Sequence, residues 1–126
     1  MRTLSTFSSF STGDMAKAKQ FYGETLEVGA TEGPEGLALM GGKVFVYPKP
    51  DHSPATFTVL NFIVEDIDTA VDEIAGKGVT MEQYDSEMLK TDAKGICRND
   101  GAMPGPKAIA WFKDPAGNIL ALIQEK

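Results

Sequence analysis

The feature that most constrains this chain is an internal repeat. Asp66 lies 52 residues after Asp14, and the same offset places Phe10 on Phe62, Met15 on Ile67, Ala18 on Ala70 and Tyr22 on Ile74. One matched pair would mean little, but matches that run through a strand, a cap and a helix point to a duplicated module. In the first copy, alternation from Leu4 to Phe10 predicts a strand. Thr12–Gly13–Asp14 then caps a helix with Met15, Ala18, Tyr22 and Leu26 on one face. In the second copy Thr58, Leu60, Phe62 and Val64 are expected to face one way, and Val59, Asn61 and Ile63 the other. Asp66 caps a helix carrying Ile67, Ala70, Val71 and Ile74, which Gly76–Lys77–Gly78 ends.

Short strand-like segments follow each helix. In the first half they are Leu37–Met40, a Gly41–Gly42 turn and Lys43–Tyr47. In the second they are Val79–Tyr84, a polar stretch near Ala93–Arg98, Ile109–Lys113 and Ile119–Ile123. Asp114–Pro115–Ala116–Gly117–Asn118 joins the last two as a hairpin. Each half is therefore strand–helix–several strands, and the expected class is α+β, curved antiparallel sheets with helices on the outer face. Neither half carries enough apolar surface to stand alone. At 126 residues the chain suits one domain, with modules at about 3–50 and 56–125.

Composition narrows the function classes. A net charge of −6 and a pI near 4.7 disfavour nucleic acid and anionic membranes, because both require a basic face. No apolar stretch is long enough to span a bilayer, and the segment Met1–Asp14 lacks the apolar core of a secretory signal. The expected location is cytoplasmic. One Cys and one His leave no zinc set and no disulfide. His52 sits in the loop Pro48–Lys49–Pro50–Asp51–His52–Ser53–Pro54, with no G-x-S-x-G elbow, and reads as a surface residue. Cys97 has no evident base partner and reads as an ordinary thiol. Gly101–Ala102–Met103–Pro104–Gly105–Pro106–Lys107 lacks the spacing of a P-loop, and Asn99–Asp100–Gly101 lacks the rest of a calcium loop.

Three stretches carry a family resemblance. Gly13–Asp14–Met15 through Phe21–Tyr22 to Leu26 is similar to the first helix of the vicinal oxygen chelate superfamily, with its FY…L close. Phe62–Ile63–Val64–Glu65–Asp66–Ile67 resembles that superfamily's second strand-to-helix junction. Trp111–Phe112–Lys113–Asp114–Pro115–Ala116–Gly117–Asn118–Ile119–Leu120–Ala121–Leu122 is similar to its closing F-x-D-P-x-G-N-x-L-E-L hairpin. The superfamily includes glyoxalase I, the bleomycin-resistance proteins and the extradiol dioxygenases. The resemblance implies concave half-barrels and a homodimer. It also implies a metal held by His, Gln or Glu on the first and last strands of each module.

Carried over one by one, those ligand positions are apolar here. The first-strand positions fall on Phe7 and Val59, each seven residues before its capping Asp. The closing Glu falls on Ala121, and the first module's last strand offers Val44, Phe45, Val46 and Tyr47. A divalent ion needs about three converging N, O or S ligands, so no metal and no cofactor is expected. Glu65, Asp66 and Asp68 read as first-turn helix charges, and Asp72 with Glu73 as a solvated helix face.

Without a metal, the concavity becomes an apolar pocket with a few polar points, suited to a small organic ligand. Alternation turns Phe7, Ser9, Val59, Asn61, Trp111 and Ala121 inward, and Phe45 and Tyr47 are preferred over Val44 and Val46. Phe7, Phe45, Tyr47 and Trp111 either stack on a flat ligand or fill the sheet interior, and Ser9 and Asn61 offer hydrogen bonds. Asp85–Pro106 is either a lid, from which Arg98 meets an anionic group, or a solvated loop. The leading expectation is a metal-independent binding or sequestering protein in the manner of the bleomycin-resistance proteins; its acidic charge would suit a cationic ligand. The alternatives are a glyoxalase-type lyase, isomerase or dioxygenase, and an association module whose aromatics close the pocket.

Overall fold

The computed structural model describes residues 1–101 and 103–126; Ala102, within the Asp85–Pro106 stretch, lies outside the described residues. The chain forms two compact units, Met1–Pro54 and Ala55–Lys126. The first runs β1 (Ser8–Thr12), α1 (Met15–Gln20), a π-helical turn (Phe21–Thr25), β2 (Ala30–Glu32), β3 (Leu37–Leu39) and β4 (Val44–Pro48). The second runs β5 (Thr58–Ile63), α2 (Ile67–Gly76), β6 (Ile96–Arg98), β7 (Ala108–Lys113) and β8 (Ile119–Gln124). Each unit has one four-stranded mixed sheet, in the orders β1-β4-β3-β2 and β5-β8-β7-β6. In both, the first strand lies parallel to the last and the remaining pairs are antiparallel. The 52-residue repeat is thus a repeat of topology, and the class is α+β.

The caps repeat as well. Asp14 and Asp66 hold nearly the same extended backbone, at φ −143°, ψ 98° and φ −136°, ψ 109°. Asp14 accepts from Lys17 N, and Asp66 from Asp68 N and Thr69 Oγ1, so each satisfies donors that the first helical turn leaves open. The stop at α2 also follows its signal: Lys77 N donates to the Ile74 carbonyl and Gly78, at φ +97°, to that of Ala75.

Four local expectations need correction. The first strand starts at Ser8 rather than Leu4, and Met1–Ser9 are exposed. The first helix gives way after Gln20 to a π-helical turn, closed by Leu26 N donating to the Phe21 carbonyl at 2.8 Å. That widening seats the fully buried Tyr22 against Phe10 and Phe21, at centroid distances of 6.0 and 5.2 Å. β2 was not expected; its three residues, Ala-Thr-Glu, are too few to display a period. Val79–Tyr84 is no strand: it touches the sheet through a Met81–Phe112 bridge and the Glu82 N to Trp111 O hydrogen bond.

Candidate functional site

The covered face of each sheet identifies the open one. In the first unit Phe10, Val46 and Leu37 form a register row and are all buried, with Phe10 against Tyr22 of the helical segment. The neighbouring row is Ser9, Phe45 and Ala38, followed by Ser11 opposite Tyr47. Adjacent rows alternate between faces, so this second set lies on the open side. Val44 and Val46, on the covered face, are buried, whereas Phe45 is half-buried and Tyr47 exposed. Phe7 precedes β1 and is 66% exposed. A Cβ at Gly36 would stand 2.4 Å from the Val46 carbonyl oxygen and 2.8 Å from Phe45 Cζ. Glycine there is what lets the Phe45 ring lie across the strand beside it.

In the second unit Phe62, Leu122, Ala110 and Ile96 share one row, and Leu60, Leu120 and Phe112 another. Five of those seven residues, Leu122, Ala110, Ile96, Leu120 and Phe112, are buried, and so are Ile67, Val71 and Ile74 of α2, which packs on β7 and β8.

 This covered face leaves Asn61, Ala121 and Trp111 as the central row of the open one. Ile63, Ile123, Ile109 and Cys97 continue it on one side, and Thr58 with Ile119 on the other. The register of β5 shifts between Thr58 and Leu60, and Val59 has no partner on β8. A bulge of this kind interrupts the alternation, so Thr58 shares the face of Asn61 rather than that of Leu60. Trp111 is half-buried and meets Tyr84 edge-on, with centroids 5.5 Å apart and planes at 89°. Ala121 is fully buried and Asn61 exposed.

Sequence reasoning missed four residues of these faces: Thr58, Ser11, Tyr84 and His52. His52 is half-buried, and its Nδ1 lies 2.6 Å from Ser11 Oγ, which corrects its reading as a plain surface residue. The contact spans 41 positions, and no local pattern encodes it.

Arg98 does not wait for an anion. It stands at the end of β6 and holds both carboxylate oxygens of Asp68, at 2.8 and 3.1 Å, with Nε on Asp92 at 3.0 Å. Lys94 adds contacts of 3.0 Å to Asp68 and Asp72. The cluster ties the edge strand to α2, and Asp68 and Asp72 are partners in it rather than idle helix charges. A polar cleft of about 630 Å³ borders it, lined in part by Glu65, Asp66, Arg98, Asp100 and Lys107.

The Arg98 guanidinium, and then the Lys94 ammonium, hold the Asp68 carboxyl well below the usual carboxylate range. A depressed folded-state pKa gives stability that is present above the unfolded value and lost as pH falls through the folded one. The Asp68 side chain is 44% exposed, so solvent screening keeps the effect small. Arg98→Ala is expected to lower the melting temperature modestly at pH 6–8, with the gap to wild type closing below about pH 4, the unfolded carboxylate range. Paired thermal melts across pH check this.

Metal ligation fits these faces poorly. The positions where the resemblance implies ligands hold Phe7, Phe45, Val59 and Ala121. Among the described residues, no group of three or more His, Cys, Asp or Glu side chains stands where it could hold an ion.

The sequence matches no protein-family model and no curated protein. Solved structures do match. A glyoxalase-family protein of Bacillus anthracis aligns over the whole of both chains at 21% identity and a TM-score of 0.67. TnmS3, an antibiotic binding protein from a Streptomyces species, aligns over the whole of both chains at 22% and 0.63. A glyoxalase/bleomycin resistance protein/dioxygenase from Alicyclobacillus acidocaldarius aligns over 99% of this chain and 95% of its own, at 15% and 0.66. Repeat, topology and structural likeness agree: this chain has the fold of the glyoxalase and bleomycin-resistance proteins, the vicinal oxygen chelate fold.

Proposed function

We propose that this protein binds or sequesters a small organic molecule and needs no metal ion to do so. The observation that carries the reading is the chemistry of the open sheet faces. Where the family resemblance implies metal ligands this chain carries Phe7, Phe45, Val59 and Ala121, with Tyr47 on the face of Phe45 and Trp111 in the row of Ala121. Aromatic and aliphatic faces with a few polar points, here Ser9 and Asn61, favour flat organic ligands over ions. Val59 stands at the bulge beside Asn61 and is included in the same surface. The likeness to an antibiotic binding protein supports the reading. A homodimer and a cytoplasmic location belong to it as well. No helix among the described residues is long and apolar enough to cross a membrane.

A thermal-shift screen of small metabolites and antibiotics, run in chelator, tests this. Ligand at 100 times its Kd stabilises the folded state by about 2.7 kcal/mol. Trp111→Ala is expected to weaken the best compound at least tenfold, the loss of a central aromatic anchor. A shift that appears only after a divalent metal is added would contradict the reading.

A further inference from the structure

We propose that Ser11 and His52 form a nucleophile–base dyad able to accept the acyl group of a small carboxylic ester. The two atoms that matter, Ser11 Oγ and His52 Nδ1, lie 2.6 Å apart, within the range that couples a nucleophile to its base. The pair is held by backbone rather than by chance rotamers. His52 N donates to the Lys49 carbonyl and Lys49 N to that of Thr12, both at 3.0 Å. The turn that carries the imidazole is thereby tied to the strand that carries the hydroxyl. Pro48, Pro50 and Pro54 restrict that turn further.

The surroundings suit an acyl group. Ser11 is half-buried on the open face of the first unit, directly opposite Tyr47, with Phe45 two residues further along the same strand. In the reaction Ser11 Oγ bonds to the ester carbonyl carbon while its proton passes to His52 Nδ1. The tetrahedral centre collapses, the C–O bond to the alcohol breaks, and the alkoxide leaves with the proton from His52. Water then bonds to the acyl carbon as its proton passes to His52 Nδ1, the bond from that carbon to Ser11 Oγ breaks, and His52 returns the proton to Ser11, freeing the carboxylic acid.

Reaction of the full chain with diisopropyl fluorophosphate tests the dyad without relying on a particular ester. There the Ser11 oxygen bonds to phosphorus, fluoride leaves and His52 takes the proton. The expected result is one adduct per chain, mapped to Ser11 by peptide fragmentation, and absent in Ser11→Ala. His52→Gln, which keeps hydrogen-bonding capacity, is expected to slow labelling at least a hundredfold, the usual scale of general-base catalysis. Its melting temperature should stay within a few degrees of wild type, a combination that a merely structural contact would not produce. No adduct at Ser11 in the wild-type chain, or labelling of His52→Gln at the wild-type rate, would overturn the proposal.

Discussion

Phe112→Ala is expected to lower the unfolding free energy by roughly 3–5 kcal/mol, the range for emptying a large buried aromatic. Phe112 is fully buried near the end of β7, in register with Leu120 and bridged to Met81. Its neighbours on the covered face belong to two strands and to a segment that has no ladder of its own. A cavity there cannot close by moving one element. Phe112→Leu keeps most of the volume and should recover over half of the loss. Denaturant unfolding with an unchanged m-value distinguishes lost stability from an altered denatured state.

The second large effect lies in the closing hairpin. Asp114 is 5% exposed; its Oδ1 accepts from Ala116 N and Asn118 N, and its Oδ2 from Asn118 Nδ2, all at 2.9 Å. Asn118 is itself buried, at 2% exposure. Asp114→Ala removes three charge-assisted bonds at once from donors that water reaches poorly. Such bonds contribute about 1.5–3 kcal/mol each, and less than additively when they share one carboxylate, so a total loss of roughly 3–5 kcal/mol is expected. Asp114→Asn keeps one acceptor oxygen and should lose about half as much. The same denaturant titration measures both.

These two residues also show what the sequence made legible. The Asp-Pro-Ala-Gly-Asn stretch reads as a turn because its chemistry is local: one carboxylate caps donors two and four residues on. The Asp14 and Asp66 caps, and the 52-residue offset between them, are local in the same sense. Phe112 and Leu120 were legible as strand residues through simple alternation. Alternation failed where the backbone adds or widens a turn. The shift at Val59 reverses Thr58, and the π-helical turn after Gln20 breaks the 3.6-residue period that placed Leu26 with Tyr22.

Long-range pairing escaped for a different reason. Arg98 reads as a free cation until Asp68, thirty residues earlier, is brought against it. His52 reads as a loop residue until β1 carries Ser11 to its ring. Neither partner lies within the reach of a helical or strand period, so only the fold reveals them. That Phe45 shares a face with Tyr47, and Trp111 a face with Ile109, follows from the period of two; which of the two faces is open does not, and the burial of Val44 and Val46 supplies it.

The central claim is that an apolar, metal-independent surface binds a small organic molecule, and the chain contains its own reporter. Trp111 is the sole tryptophan and lies in the central row of the second unit's open face. Its fluorescence should therefore be titrated, in excess chelator, with the compound that gives the largest thermal shift. The account predicts a saturable change in emission, with a Kd that does not move when chelator is omitted. A response that vanishes in chelator and returns with a divalent metal would contradict it.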